Sequence, residues 1–360
     1  MVPKILVIPG DGIGVEVTEI SINILKTLAE KNNIEFELEN ELFGGCSIDQ
    51  HGVPVTDEVL EKAKKSDAVL LGAVGGPKWE DLKHELKPES GLLALRKELD
   101  TFANLRPAIV YPALVDASTL KKEIVEGVDI MVVRELTGGI YFGEPRGIEP
   151  VGDNEEKGVN TLHYTTSEIE RVARIAFEIA RKRSRKVTSI DKSNVLESMV
   201  LWRNTVSRIH ESEFNDIELE HLYVDNAAMQ LIRRPKTFDV MLSGNMFGDI
   251  ISDEAAQLTG SLGMLPSASV GNKGAIYEPV HGSAPDIAGK DIANPIASIL
   301  SMSMMLKYSF NMDELSNQIE SSIKRVLDKG YRTADIYEEG TTKTGCKEIG
   351  TLILKELNSI

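Results

Sequence analysis

Short apolar segments alternate with longer amphipathic segments along most of this chain. The short segments predict β-strands at residues 5–8, 68–71, 130–133, 187–190, 219–224, 238–242 and 275–277. The longer segments predict α-helices at residues 15–31, 92–99, 167–182, 194–210, 249–258, 295–306 and 312–328. Strands that alternate with helices in this way predict an α/β fold with a largely parallel sheet.

One segment breaks the alternation. Residues 143–160 are rich in glycine, proline and charge, and residues 161–165 then predict a further strand. The segment is either an arm that protrudes to reach a partner subunit or a surface loop, and the sequence leaves both alternatives open.

Length, charge and cysteine content narrow the class of protein. The 360 residues suffice for two domains or one large α/β unit. With 40 basic and 56 acidic residues, the net charge of −16 disfavours nucleic acid and anionic membranes as partners. The sequence contains no stretch of about 18 apolar residues and no signal peptide, so we expect a cytoplasmic protein. Cys46 and Cys346 have no metal-like spacing and do not form a disulfide framework.

A glycine-rich turn from Gly10 to Gly14 follows the first predicted strand. Its third glycine comes one residue too early for the dinucleotide-binding G-x-G-x-x-G motif. We therefore predict a tight turn between a strand and a helix, and no Rossmann nucleotide site.

Asp249 and Asp253 stand four residues apart in a predicted helix that follows an apolar strand. At this spacing both carboxylates project from the same helix face and repel each other. A divalent cation held by the carboxylate oxygens would remove the repulsion. The alternative is that the two acids favour the helix N-terminus through its dipole.

A second candidate site is the long loop at residues 278–295, which glycine and proline punctuate. Loops of this length in compact domains are often functional, although a structural loop is the alternative. Small residues permit close approach to a flat ligand, His281 and Asn294 suit hydrogen bonds to a base, and Asp286 suits the ribose hydroxyls. The candidate nucleotide contacts are Glu278, His281, Gly282, Ser283, Ala284, Asp286 and Asn294.

Three arginines are candidates for anion binding: Arg96, Arg106 and Arg134. Guanidinium groups bind carboxylates in a bidentate manner, so a cluster of three suits a substrate with two carboxylates. Taken singly, each is an ordinary surface or ion-pair arginine. Tyr141 follows Arg134 in a glycine-rich segment and is either a proton donor or a packed tyrosine.

Lys192 and Asp225 each follow a predicted strand directly. Ligands of open α/β sheets gather at the carboxyl ends of strands. Because Arg134 and Asp249 occupy similar positions, the pattern predicts one site that combines carboxylate recognition, a metal and a lysine base.

Together these motifs resemble the isocitrate/isopropylmalate family of β-decarboxylating dehydrogenases, over nearly the whole chain. The segments that carry the resemblance are residues 8–14, 71–79, 91–107, 134–143, 191–196, 223–231, 244–254 and 281–295. The run AVGGPKW at residues 73–79 and the segment that begins at Gly91 resemble the isopropylmalate branch. Val15 departs from the pattern, since many relatives have proline there.

The resemblance implies a two-domain isopropylmalate dehydrogenase-like fold with a central mixed sheet, distinct from the Rossmann fold. Residues 1–102 and 254–360 would form the cofactor-binding domain and residues 103–253 the dimerisation domain, and the two would meet at a cleft. The implied assembly is a homodimer with shared active sites, clasped by an arm near residues 143–165. The implied reaction is the oxidation of (2R,3S)-3-isopropylmalate by NAD with loss of CO₂, which gives 4-methyl-2-oxopentanoate in leucine biosynthesis.

The resemblance also implies a role for each candidate residue. The substrate carboxylates would be held by Arg96, Arg106 and Arg134. A Mg²⁺ or Mn²⁺ ion, which chelates the substrate hydroxyl and carboxylate, would be bound by Asp249, Asp253 and Asp225 of the partner subunit. Lys192, also from the partner subunit, would act as the base, and Tyr141 would protonate the enol carbon.

The same resemblance bears on the choice of substrate and cofactor. An apolar wall for an isopropyl group would be formed by Leu92, Leu93 and Val195. Glu89 would repel a third carboxylate, but the comparison with isocitrate relatives is divided, since Ser90 matches their pattern and Leu92 does not. Asp286 favours NAD over NADP because an acid repels a 2′-phosphate.

Three alternatives remain open from the sequence. The first is an NAD-dependent isocitrate, homoisocitrate or tartrate dehydrogenase. The second is a regulatory subunit without activity. The third, from the acids alone, is a metal-dependent phosphohydrolase, which leaves the arginines, Tyr141 and the loop at residues 278–295 unexplained.

Overall fold

The computed structural model describes residues 2–359. The strands are β1 (Lys4–Gly10), β2 (Glu37–Asn40), β3 (Ala68–Ala73), β4 (Ala103–Ile109), β5 (Asp129–Glu135), β6 (Gly147–Gly152), β7 (Glu155–Val159), β8 (Lys186–Asp191), β9 (Glu218–Tyr223), β10 (Val240–Ser243), β11 (Pro266–Val270), β12 (Ala275–Pro279), β13 (Tyr331–Arg332) and β14 (Thr342–Lys343). The helices are α1 (Gly14–Asn32), α2 (Gly45–His51), α3 (Asp57–Lys65), α4 (Pro88–Glu98), α5 (Lys122–Val125), α6 (Thr166–Arg181), α7 (Glu197–Glu213), α8 (Val224–Arg233), α9 (Asn245–Gln257), α10 (Ile296–Tyr308), α11 (Asp313–Asp328) and α12 (Cys346–Asn358). None of the helices between residues 2 and 359 combines the length and the apolar composition needed to cross a lipid bilayer.

Every predicted helix, and every predicted strand except the one at residues 161–165, overlaps an observed element, but several ends differ and several elements were missed. The α9 helix begins at Asn245, four residues before the prediction, and residue 224, predicted as the end of a strand, opens α8. Two of the missed elements, α3 and β2, have few buried apolar residues. Helix α3 buries only Val59 and Ala63, and β2 is an exposed strand at the edge of its sheet.

The chain forms two compact units. The first unit comprises Met1–Thr101, Val110–Lys122 and Thr259–Ile360, and the second comprises Phe102–Ile109 and Glu123–Leu258. Each unit is α/β with a mixed sheet, which agrees with the predicted fold class. The functional assignment of the two predicted domains stays a prediction.

In the first unit the strands lie in the order β2–β1–β3–β12–β11, and only β11 runs antiparallel to its neighbour β12. Helix α10 is the central helix of this unit, since every residue from Ile296 to Leu306 is buried. A helix that is apolar on all sides is stable only when other elements surround it. The Ser21 hydroxyl donates to Ser298 Oγ at 2.8 Å and so joins α1 to α10.

In the second unit the strand order is β4–β5–β10–β8–β9, where β4 and β5 are antiparallel and the remaining pairs are parallel. Helices α6 and α7 bury large side chains that include Phe177 and Trp202. Because β5, β10, β8 and β9 are parallel, their carboxyl ends lie at one edge of this sheet. The segments that carry Arg134, Lys192, Asp225 and Asp249 follow or end these strands.

The segment predicted as an arm contains a β-hairpin. Strands β6 and β7 are antiparallel, and every residue of β6 is exposed. The prediction of a strand at residues 161–165 is wrong, because β6 pairs with β7, and Thr165 is the residue that caps the start of α6. The Thr165 and Glu168 side chains form a capping box at the start of α6. Whether the hairpin clasps a partner subunit stays a prediction.

Candidate active site

Two of the candidate arginines project from neighbouring strands of the second unit. Asn104 of β4 is paired with Arg134 of β5, and Arg106 lies two residues beyond Asn104 on the same face of the sheet. An amide side chain holds each arginine. Asn104 Oδ1 accepts a hydrogen bond from Arg106 Nε at 2.8 Å. Asn245 Oδ1 accepts from Arg134 Nη2 at 2.7 Å and from Arg134 Nε at 3.1 Å.

Asp249 and Asp253 of α9 lie against these arginines. Asp253 Oδ1 accepts from Arg106 Nη1 at 3.0 Å, and Asp249 Oδ1 forms an ion pair with Arg134 Nη1. The arginines thus offset the mutual repulsion of the two acids. The alternative based on the helix dipole is not supported, because α9 begins at Asn245 and has no acid in its first turn.

Tyr141 lies beside the same acid. Its hydroxyl donates to Asp249 Oδ2 at 3.1 Å, and its ring centre is 5.9 Å from the Arg134 guanidinium carbon. Burial raises the pKa of Tyr141, and the negative charge of Asp249 raises it further. The raised pKa means that the phenol is protonated at neutral pH. Because 41% of the residue is exposed, a ligand can reach it.

Lys192 and Asp225 form a second group at the same edge of the sheet. Strands β8 and β9 are parallel, with Asp191 opposite Tyr223, so the residues just beyond the two strand ends are close. Lys192 Nζ donates to Asp225 Oδ1 at 2.7 Å, and this hydrogen bond lowers the pKa of Asp225. Val195 lies nearby on the exposed loop and is 67% exposed.

Within one chain, the candidate metal ligands are therefore divided between two groups. Asp225 pairs with Lys192, whereas Asp249 and Asp253 pair with arginines. Across residues 2–359, no three acid, histidine or cysteine side chains come together in a way that could hold a metal ion. The predicted completion of the site by Asp225 of a partner subunit stays a prediction.

In the first unit, helix α4 presents four candidate residues on one face. Glu89, Leu92, Leu93 and Arg96 follow the spacing of zero, three, four and seven residues that aligns side chains along a helix. Leu92 packs partly against the core, while Leu93 is 40% exposed. Arg96 Nη2 donates to Glu278 Oε1 at 2.8 Å. The carboxylate of Glu278, a candidate nucleotide contact, is therefore bonded to an arginine.

The loop at residues 278–295 is fastened to the glycine turn. Ser283 is buried, its hydroxyl donates to the Gly75 carbonyl at 2.7 Å, and its own carbonyl accepts from the backbone of Ile13 at 2.7 Å. Gly12 has a φ of +57°, and a Cβ there would lie 2.0 Å from the Ser283 carbonyl oxygen. The turn is therefore a close crossing of two chain segments, and its prediction as a tight turn is confirmed.

The polar candidates of this loop differ in their surroundings. His281 Nδ1 lies 2.9 Å from the Gly282 carbonyl, whereas Nε2 is buried and has no hydrogen-bond partner among the described residues. Burial lowers the pKa of His281, so the ring is neutral at pH 7. Asn294 Oδ1 accepts from the backbone of Ile296, and its Nδ2 donates to Asp335 Oδ2, at 3.0 Å in each case. Ala284 is half-buried, and Gly282 and Asp286 are exposed.

Several residues of these clusters were missed by the sequence reasoning. Asp11 is buried and accepts from the backbone of Gly45, Cys46 and Gly75 at 2.8 to 2.9 Å, which ties the glycine turn to two other segments. Asn104 was detectable, since residues two apart on a strand share a face. Asn245 carried no such signal, because its partners are far away in sequence.

Comparisons with known proteins agree with this geometry. A sequence model described as isocitrate/isopropylmalate dehydrogenase matches residues 4–353. The 3-isopropylmalate dehydrogenase of Paramagnetospirillum magneticum is 57% identical over 363 residues, which cover 99% of this chain and 98% of that protein. The 3-isopropylmalate dehydrogenase of Aquifex aeolicus is 57% identical over 361 residues, with coverage of 99% and 98%.

Solved structures also match over nearly the full length. An isocitrate dehydrogenase from Methylococcus capsulatus has a TM-score of 0.87 at 30% identity and covers 99% of both chains. The apo form of a β-decarboxylating dehydrogenase from Thermococcus kodakarensis has a TM-score of 0.80 at 34% identity, with coverage of 99% of this chain and 96% of that one.

Proposed function

Because this chain belongs to the isocitrate/isopropylmalate dehydrogenase family, we propose that it catalyses the NAD-dependent oxidative decarboxylation of (2R,3S)-3-isopropylmalate. The product is 4-methyl-2-oxopentanoate, an intermediate of leucine biosynthesis. The observation that carries the proposal is the cluster in the second unit, where two arginines, two acids and a protonated tyrosine adjoin one another.

The substrate carboxylates are held by Arg96, Arg106 and Arg134. The geometry of Arg106 supports this role. Its Nε and Nη1 bond to protein oxygens, whereas its Nη2 is 3.9 Å from Asp249 Oδ1 and has no closer acid among residues 2–359. With Nε and Nη1 bonded to the protein, Nη2 is the nitrogen that can donate to a substrate carboxylate.

Selectivity for the alkyl group comes from the α4 face and the loop after β8. An isopropyl group contacts Leu92, Leu93 and Val195. Glu89 extends from the same face of α4 as Arg96, so its charge disfavours a substrate with a third carboxylate. One apolar group is worth only about 1–3 kcal/mol, so we expect some activity on other alkylmalates.

The acids of α9 fit a divalent cation. Asp249 and Asp253 share a helix face, remain partly exposed, and offer the oxygen ligands that Mg²⁺ and Mn²⁺ prefer. The ion would be held by Asp249 and Asp253 together with Asp225 of the partner subunit. When bound, it supplies Lewis-acid chemistry, which favours ionisation of the substrate hydroxyl and stabilises negative charge after CO₂ is lost.

Two side chains move protons. Lys192 acts in its neutral amine form. After Nζ has lost a proton and its hydrogen bond to Asp225, its lone pair accepts the proton of the substrate hydroxyl during oxidation. Tyr141 donates its phenolic proton to the carbon that has lost CO₂, and its raised pKa keeps that proton in place at neutral pH.

The first unit fits a nicotinamide nucleotide. Within the described part of the chain, the buried His281 Nε2 has no hydrogen-bond partner, so a ligand here would satisfy an otherwise unpaired atom. The residues assigned to NAD are Glu278, His281, Gly282, Ser283, Ala284, Asp286 and Asn294. NAD supplies a hydride acceptor, and the exposed Asp286 favours it over NADP because a carboxylate accepts from ribose hydroxyls and repels a 2′-phosphate.

A substrate and cofactor panel tests the proposal. The pure protein is assayed with 3-isopropylmalate, isocitrate, homoisocitrate and tartrate, each with NAD or NADP and with Mg²⁺ or Mn²⁺. We expect the highest kcat/KM for 3-isopropylmalate with NAD. A preference for isocitrate would overturn the substrate assignment, and an absence of NAD or NADP reduction with every acid would overturn the enzymatic function itself.

The proposed assembly is a homodimer in which Lys192 and Asp225 act in the site of the other subunit. Its support is the separation of the candidate ligands into two groups within one chain and the exposed hairpin of β6 and β7. Mixing an inactive Lys192 variant with an inactive Asp249 variant tests this arrangement. Mixed dimers regain activity if the sites are shared, and they stay inactive if each chain forms its own site.

A further inference from the structure

Asn245, the first residue of α9, joins two parts of the candidate active site. It is 1% exposed, and its side chain makes four hydrogen bonds. Its Oδ1 accepts from Arg134 Nε and Nη2, at 3.1 and 2.7 Å. Its Nδ2 donates to the carbonyls of Leu136 and Gly138, at 3.1 and 3.0 Å. The full hydrogen-bonding capacity of one amide is therefore used on Arg134 and on the turn that follows it.

These bonds are not needed to begin the helix. The backbone N–H of Asn245 is already satisfied by the Tyr164 hydroxyl at 2.8 Å, and the start of α9 has no side-chain cap. The side chain of Asn245 instead serves the neighbouring segments.

The turn held by Asn245 carries Tyr141. From the other side, the buried Glu135 carboxylate accepts from the backbone of Thr137 and Gly138 at 2.9 Å each. Gly139 follows with a φ of +73° and begins the short helical turn Gly139–Tyr141. Glu135 accepts hydrogen bonds from the N–H groups of this turn, and Asn245 donates hydrogen bonds to its carbonyls. These four bonds restrict the movement of the turn.

We propose that Asn245 is a positioning residue that sets the Arg134 guanidinium and the turn bearing Tyr141 at the same time. This inference rests on the proposed function, because that function makes Arg134 a carboxylate ligand and Tyr141 the proton donor. The acceptor half of the amide serves substrate binding, and the donor half serves the protonation step.

Two variants separate these halves. Asn245→Asp keeps an oxygen for Arg134 but replaces the donor with a second oxygen, which faces the carbonyls of Leu136 and Gly138. We expect kcat to fall by about tenfold or more while KM for the acid changes by no more than about threefold. Asn245→Leu has a similar volume and removes both halves, so we expect KM to rise and kcat to fall, each by about tenfold or more.

Ser189→Ala is the matched control for the loss of a buried polar group in the same unit. Ser189 of β8 is fully buried, and its hydroxyl accepts from Trp202 Nε1 at 3.2 Å. We expect this variant to lower the Tm while kcat and KM stay within about twofold of the wild-type values. Thermal unfolding of all three variants shows how much folded protein each assay contains.

The results distinguish the inference from the proposed function. The variants are assayed with whichever acid the wild-type protein oxidises best, so a different preferred acid overturns only the substrate assignment. Wild-type-like kcat and KM in Asn245→Leu, or equal effects of Asn245→Asp on kcat and on KM, would overturn the positioning role. A wild-type protein that oxidises none of the acids overturns both.

Discussion

Replacing Arg106 by lysine tests whether the fork of a guanidinium, and not only its charge, recognises the substrate. Arg106 uses Nε for Asn104 at 2.8 Å and Nη1 for Ser252 and Asp253, at 2.8 and 3.0 Å. A lysine has a single nitrogen, so it cannot bond to these groups and also to a substrate carboxylate with the same geometry.

The size of the effect follows from the bonds that are lost. If the substrate carboxylate loses one charge-assisted hydrogen bond, the cost is about 1.5–3 kcal/mol. At about 1.4 kcal/mol for each factor of ten, kcat/KM for 3-isopropylmalate should fall about 10- to 150-fold. Most of the loss should appear as an increase in KM, since the carboxylate is bound before and during the reaction.

The assay is steady-state NAD reduction, with thermal unfolding of each variant as a check on the fold. Arg183→Lys is the matched control, because the Arg183 side chain is 19% exposed compared with 17% for Arg106 and also bonds to acids, Asp239 and Asp129. We expect the control to keep kcat/KM within about twofold of the wild-type value. If Arg106→Lys also stayed within about threefold while its fold was intact, the assignment of Arg106 as a carboxylate ligand would be wrong.

Three further predictions concern the proton and metal chemistry. Lys192→Met should abolish turnover while calorimetric binding of 3-isopropylmalate is largely preserved, and a near-normal kcat would rule out Lys192 as the base. Asp249→Asn should remove the Mg²⁺ dependence of activity along with most of the activity, whereas an unchanged Mg²⁺ titration would show that this acid is not a ligand. Because the pKa of Tyr141 is raised above its usual value near 10, its phenol stays protonated below that pH. A kcat–pH profile should therefore show no loss from Tyr141 ionisation below about pH 10, and Tyr141→Phe should lower kcat about 10²- to 10⁴-fold across the range. A wild-type fall in kcat at pH 8 to 9 that disappears in Tyr141→Phe would contradict the raised pKa.

Local features were accessible from the sequence because they depend on residues close together in the chain. The apolar pattern located strands such as β1, β3 and β5 and helices such as α1 and α6. The four-residue spacing placed Asp249 and Asp253 on one face of a helix, and the glycine spacing identified a tight turn. The same reasoning failed for α3, where only two buried residues left too weak a pattern, and for the start of α9.

Partners that are distant in sequence were decided only by the tertiary structure. Asn245 and Arg134 are 111 residues apart, and Arg96 and Glu278 are 182 residues apart. No spacing rule connects such positions. The parallel pairing of β5 with β10 brings Arg134 to Asn245, and the packing of the first unit brings α4 to the end of β12. The residue types, their helical and strand spacing and the overall charge were therefore properties of the sequence. The hydrogen bonds that orient Arg106, Arg134 and Tyr141 depend on how the strands pair, which is a property of the fold.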